Sequence, residues 1–139
     1  MRLIGLDYGD SRIGVAVSDR MGLTAQPVGT LSEKTWSKQL EKLCGIVAEY
    51  EAEGFVIGMP RNMNGSIGQR GEITRKFAEM LREKTGLPVT EWDERLSSVA
   101  AHRALNEGQV RQKKGKVDML AAVFILQGYM DSLTKGKEQ

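Results

Sequence analysis

The stretch Arg2-Leu3-Ile4-Gly5-Leu6-Asp7-Tyr8-Gly9-Asp10-Ser11-Arg12-Ile13-Gly14-Val15-Ala16-Val17-Ser18 decides the fold. Its two arms, Arg2 to Tyr8 and Arg12 to Ser18, are rich in Ile, Val and Leu, which suit a pleated, buried surface, and Gly9-Asp10-Ser11 between them is turn chemistry. An antiparallel hairpin follows. Working outward, a third short strand is predicted over Gln26 to Leu31. Ser32 then caps a helix to about Glu53, because Trp36, Leu40, Leu43, Cys44 and Val47 recur at helical spacing and Gly54 stops it. Phe55 to Met59 reads as a buried strand. Pro60 opens a Gly-rich loop, Arg61 to Gly71, and Ile73, Phe77, Met80 and Leu81 mark one face of a second helix ended by Gly86 and Pro88. Val89 to Trp92 is the fifth strand. Ser97 or Ser98 caps a helix to Asn106, a basic connector follows, and Val117 to Leu133 forms the last helix. The order βββαβαβαα has three strands joined by tight turns and two reached through helical crossovers. It predicts an α/β fold: a mixed five-stranded sheet with Arg2 to Asp7 in its middle and helices on both faces.

The 139 residues fit one domain, residues 1–139, with a short polar tail from about Thr134. With 20 Lys and Arg against 18 Asp and Glu, the net charge is only +2, so any nucleic-acid surface has to come from local clustering of basic residues. The longest strictly apolar run, Met119 to Leu126, is far too short for a membrane span, and the N-terminus meets Asp7 before any signal-peptide core could form. A cytoplasmic protein without a membrane partner is expected. The single cysteine, Cys44, excludes an internal disulfide and a Cys-based metal site, and it reads as a buried helix residue. His102, also alone, reads as a helix-surface residue and makes a Ser/His/Asp triad a poor fit.

The chemistry-bearing feature is acidic. Asp7 ends the first apolar strand, Asp93 with Glu94 ends the fifth, and Asp118 lies between Val117 and Met119 at the start of the last helix. Carboxylates entering or bordering a core are costly without a compensating cation, and hard oxygen donors at the mouth of a sheet suit Mg²⁺ or Mn²⁺. Each acid also has an ordinary reading: Asp7 as a turn former, Glu94 as a partner of Arg95, Asp118 as a helix-start residue. All three together fit the metal reading better.

Glycine, 16 residues, is about 12% of the chain against a typical 7% or so. Gly5, Gly9 and Gly14 surround Asp7, while Gly58, Gly65, Gly68 and Gly71 bracket the loop facing it. Such positions let phosphates approach backbone amides, although the spacing matches neither common phosphate-binding fingerprint. Basic residues gather in two places: Arg111, Lys113, Lys114 and Lys116 in the connector, and Arg61, Arg70, Arg75 and Lys76 near the Gly-rich loop. Both clusters could hold a phosphodiester backbone over the acids. A solvated loop carries charge of this kind equally well.

Four motifs in register resemble the YqgF (RuvX) family, bacterial Holliday-junction-resolvase-like proteins with an RNase H-like fold. They are Asp7-Tyr8-Gly9-Asp10-Ser11-Arg12-Ile13-Gly14-Val15-Ala16; Val56-Ile57-Gly58-Met59-Pro60 with Asn62 and Gly65; Asp93-Glu94-Arg95-Leu96-Ser97-Ser98; and Lys116-Val117-Asp118 with Ala121-Ala122. The third motif most often ends in two threonines, and the two serines here keep the hydroxyls. The resemblance implies a nuclease maturing pre-16S ribosomal RNA, with catalytic acids at Asp7, the Asp93-Glu94 pair and Asp118. Two Mg²⁺ or Mn²⁺ ions about 4 Å apart would serve an in-line attack on phosphorus. Asp7, Glu94 and Asp118 are the expected metal ligands, Glu94 favoured for its reach and Asp93 held in reserve. Arg12 and Arg95 inside the motifs join Arg61, Arg70, Arg111, Lys113, Lys114 and Lys116 as expected nucleic-acid contacts. RNA is the favoured partner, with DNA and pre-ribosomal particles as further ones, for a monomer or homodimer. The alternatives are a Holliday-junction resolvase and a non-catalytic nucleic-acid-binding factor of ribosome biogenesis. ATPase chemistry, which this fold supports elsewhere, needs a second domain; 139 residues leave room for one, so it is the weaker reading unless a dimer completes the cleft.

Overall fold

The computed structural model describes residues 1–9, 11–96 and 114–138. β1 (Leu3–Tyr8) and β2 (Ile13–Ser18) form the predicted hairpin. They are followed by β3 (Ala25–Leu31), α1 (Trp36–Tyr50), β4 (Gly54–Met59), α2 (Gln69–Thr85), β5 (Val89–Asp93), a 3-10 turn (Glu94–Leu96) and α3 (Lys114–Glu138). The sheet runs β3-β2-β1-β4-β5, with β2 antiparallel to both its neighbours and β4 parallel to both of its own. β1 is therefore central, and the carboxyl ends of β1, β4 and β5 share one edge of the sheet.

Strand alternation sorts the side chains onto two faces. Ile4, Leu6, Ile13, Val15, Phe55 and Ile57 pack with Leu40 and Leu43 of α1 and Phe77 and Leu81 of α2. On the other face Ala16 and Val56 meet Ala121, Ala122, Ile125 and Leu126 of α3, which lies across β1, β2, β3 and β4. A one-residue slip of β1 would move Ile4 and Leu6 out of the first core, each burial being worth roughly 1.5–3 kcal/mol. The hydrophobic pattern thus fixes the register, and with it the face that Asp7 takes.

Several boundaries differ from the sequence reading for local reasons. Thr35, not Ser32, caps α1: its backbone is extended and its hydroxyl accepts from the Lys38 N–H at 3.3 Å. The helix ends at Glu51, left-handed at φ 53°, and Gly54 opens β4 instead of stopping the helix. Gly86 does close α2, its N–H bonded to the Arg82 carbonyl at 2.8 Å. α3 is longer than the predicted 117–133, running on through residues read as a tail. Cys44 is half-buried, not buried. The helix predicted from Ser97 or Ser98 to Asn106, with His102, lies outside the described residues. Among the described residues no helix is long and apolar enough to cross a membrane.

One ion pair ties β5 to α2. The Arg75 guanidinium donates through Nε and Nη2 to the two Glu91 oxygens at 3.0 and 2.9 Å, which holds the Glu91 carboxyl below its ordinary 4.5. Because the folded form has the lower pKa, the pair stabilises above pH 4.5 and its contribution is lost as pH falls through the folded value. With Arg75 42% and Glu91 23% exposed, the effect is at most about 1 kcal/mol. Urea unfolding of Glu91→Gln is expected to show this small deficit at pH 7 and a shrinking one as the pH is lowered below 4.5. A deficit that does not change with pH would mean that Glu91 contributes by packing.

Candidate active site

Asp7 is the penultimate residue of the central strand and only 6% exposed. Register assigns its face. Leu6 pairs with Ile57, and both lie in the α1/α2 core, so Asp7 and Gly58 fall on the α3 side. Gly5, two residues before Asp7, confirms the parity, because a Cβ there would touch Leu126 and Ala122 of α3. At the neighbouring carboxyl end, β5 stops at Asp93 and Glu94 begins the 3-10 turn. The Glu94 carboxylate folds back over β4: its Oε2 lies 3.3 Å from where a Cβ on Gly58 would stand. Asp7 and Glu94 are thus brought to the same face of the same sheet edge.

Asp93 is turned the other way. It pairs with Met59, two positions beyond Ile57 and so on the α1/α2 side, and it is taken up by arginines. Arg95 donates to it through Nη2 at 2.7 Å and through Nε at 3.0 and 3.2 Å, its own N–H adds a bond at 3.0 Å, and Arg61 Nε lies 3.8 Å away. The side-chain bonds from Arg95 hold the Asp93 carboxyl below its ordinary range despite its partial desolvation. The partner of Arg95 is therefore Asp93, not Glu94.

The remaining expected residues divide sharply. Asp118 stands in the first turns of α3, the helix that covers the Asp7 face, and is described by its backbone. Lys114 and Lys116 occupy the same helix start, whereas Arg111 and Lys113 lie outside the described residues. Arg12 immediately precedes β2, and Arg70 is the second residue of α2. Arg61 and Arg95 do not project as free cations: Arg61 Nη1 donates to the Gly65 carbonyl at 2.9 Å, and Arg95 Nη1 to those of Asn62 and Met63 at 3.1 and 3.5 Å. Arg75 is committed to Glu91. The expected phosphate-facing glycines also resolve differently, since Gly58 lies inside β4 against Ile125 and Gly71 inside α2 against Ile67. The arginine clasp on the loop was missed in the sequence, where the only trace of it is the Asp-x-Arg spacing at the end of β5.

The RuvX: Holliday junction resolvase family model matches residues 1–132. The chain belongs to the RuvX family. Among curated RuvX relatives, a Clostridioides difficile protein is 54% identical over 94% of both chains, and one from Halothermothrix orenii is 49% identical over 97% of this chain and 98% of its own. Both carry the name "Putative pre-16S rRNA nuclease". Among solved structures, Thermus thermophilus RuvC in complex with a Holliday junction substrate superposes with a TM-score of 0.61 at 14% identity, over 96% of this chain and 97% of that one. The yeast mitochondrial Holliday junction resolvase gives a TM-score of 0.56, also at 14%, over 98% of this chain and 80% of that one. At such identities the likeness establishes the fold, an RNase H-like mixed sheet.

Proposed function

We propose that this RuvX chain is a cytoplasmic, divalent-metal-dependent nuclease that hydrolyses phosphodiester bonds of structured RNA, with precursor 16S rRNA as its substrate. The observation that carries this reading is the convergence of Asp7 and Glu94 on one face of the sheet edge. The relatives' shared name supplies the substrate class. A divalent cation suits the donors present: a nearly buried carboxylate and a second one lying over β4 at Gly58, on the same face of the sheet edge, offer hard, anionic oxygens. Asp7 and Glu94, with Asp118 from α3, would hold Mg²⁺ or Mn²⁺, which supplies charge stabilisation at phosphorus and a more acidic water.

The chain's own residues prepare the site. Asp7 is set by the central strand, so its oxygens need no reorganisation as charge develops. Gly58, lacking a side chain, leaves the space in which the Glu94 carboxylate lies. Arg95 and Arg61 neutralise Asp93, so that one fewer bare acid repels the incoming phosphodiester. The connector lysines then supply the phosphate contacts that the engaged arginines do not.

The deciding test offers purified protein a labelled precursor 16S rRNA fragment, a four-way DNA junction and a single-stranded RNA, with Mg²⁺, Mn²⁺ or a chelator. Cleavage of the rRNA fragment, lost with chelator and in Asp7→Asn, is the expected result. Junction cleavage without RNA cleavage would move the assignment to a resolvase, the reading that the family description favours. Binding without cleavage would make the chain a non-catalytic factor. In the same assay, Lys113→Glu with Lys114→Glu is expected to weaken binding and flatten its log–log salt slope by about 1.4–1.8, since two fewer phosphates are neutralised. An unchanged slope would assign the connector to solvent.

A further inference from the structure

The turn between β4 and α2 is built to hold one apolar side chain in water. The Asn62 N–H donates to the Ser66 carbonyl and the Gly65 N–H to the Asn62 carbonyl, both at 2.9 Å, while the Asn64 side-chain oxygen accepts from the Ser66 N–H at 3.0 Å. Arg61 and Arg95 then fasten the turn from outside, through the Gly65, Asn62 and Met63 carbonyls. At the tip of this clasped turn Met63 is 101% exposed, and Leu96, the residue after Arg95, is 67% exposed. A mobile loop can expose a methionine by chance. Here the backbone on both sides of Met63 is tied down, and the tie runs through Asp93 and Arg95 to the residue next to Glu94.

We infer that Met63 contacts an unpaired nucleobase of the bound RNA at this edge of the sheet, and that the Asp93–Arg95 pair is the positioning device that holds it there. This rests on the nuclease reading above. The chemistry selects a base over the rest of the strand: phosphates and ribose want cations and hydrogen-bond partners, whereas a base offers an apolar π-face to a polarizable thioether. Apolar wedges, methionine among them, are inserted against bases in this way at bent or opened duplex steps. The turn also stands at the sheet edge that carries Asp7 and Glu94, because it leaves the carboxyl end of β4.

The test uses RNA hairpins carrying 2-aminopurine at one loop position each, bound to the Asp7→Asn protein so that cleavage does not interfere. Binding is followed by anisotropy and base unstacking by 2-aminopurine fluorescence. One probe position is expected to brighten severalfold on binding. Adding Met63→Ala should remove most of that signal while the Kd changes less than about threefold, and Met63→Leu should restore it. Arg95→Lys, which keeps the charge but loses the fork, should behave like Met63→Ala and leave the salt slope unchanged. A signal that survives Met63→Ala overturns the inference, as does an Arg95→Lys protein indistinguishable from its parent. A protein that shows the Met63-dependent signal but whose Asp7-containing form cleaves no RNA would remove the nuclease reading and keep the base contact. A protein that binds no RNA would remove both, and Met63 would then belong to a protein interface.

Discussion

Asp7→Asn is expected to lower RNA cleavage at least about a hundredfold, and Glu94→Gln to do nearly the same, while Asp93→Asn costs about tenfold or less. The larger figure follows from removing an anionic ligand from the proposed site, whose cation would contribute several kcal/mol to the transition state, each ~1.4 kcal/mol being a factor of ten. The ranking comes from the sheet. Asp7 and Glu94 share the α3 face, whereas Asp93 lies across the strand and is already hydrogen-bonded by Arg95 and approached by Arg61. Calorimetric titration with Mn²⁺ separates the roles: binding should be lost in Asp7→Asn and Glu94→Gln and kept in Asp93→Asn. A cation affinity that falls in Asp93→Asn and not in Glu94→Gln would exchange the two assignments. Far-ultraviolet circular dichroism and thermal midpoints establish that each variant is folded.

The sequence carried the face of Asp7 because alternate strand residues take opposite faces: Ile4 and Leu6 enter the α1/α2 core, so Gly5 and Asp7 face α3. The central place of β1 was legible for a similar reason: a tight hairpin puts β2 on one side of it, and a helical crossover puts β4 on the other. The choice between Asp93 and Glu94 was legible only as a preference. It depends on where β5 gives way to the 3-10 turn, and adjacent residues reverse face at a boundary that pattern alone does not place. Arg61 and Arg95 were read as phosphate contacts because a cation near a Gly-rich loop looks the same in sequence whether or not it also meets backbone carbonyls. Their bonds to Asp93 and to the turn at 62–65 could not be read, because they are set by the turn's geometry. Ser32 was preferred to Thr35 as a helix cap since both are good caps; Thr35 wins because Trp36 is the first residue whose helical position faces the core.

Gly5→Ala is expected to destabilise the fold by about 3 kcal/mol or more, at or beyond the upper end for overpacked cores, and so to lower the thermal midpoint by on the order of 10 °C. Gly5 is not at positive φ, so the added methyl is not strained by its own backbone. Its neighbours are the difficulty. The new Cβ would stand 2.6 Å from Leu126 Cβ and 2.9 Å from the Ala122 carbonyl oxygen, atoms that move only if α3 moves. The restriction of the unfolded chain by alanine, worth about 0.4–1 kcal/mol, is too small to offset that. Gly58→Ala makes the contrast. There the closest atom, 2.4 Å away, is Ile125 Cδ1, the end of a flexible side chain that can rotate, so about 1 kcal/mol is expected in stability. The same methyl lies 3.3 Å from Glu94 Oε2, however, so Gly58→Ala should lose cleavage and Mn²⁺ affinity out of proportion to its stability. Gly5→Ala should lose both together, because lifting α3 from the sheet would move the helix that carries Asp118, the proposed third ligand. Differential scanning calorimetry beside Mn²⁺ titration of the two variants reads this directly. Equal midpoints for Gly5→Ala and the unaltered protein would show that α3 does not rest on Gly5, and the proposal that α3 brings Asp118 to Asp7 would lose its support.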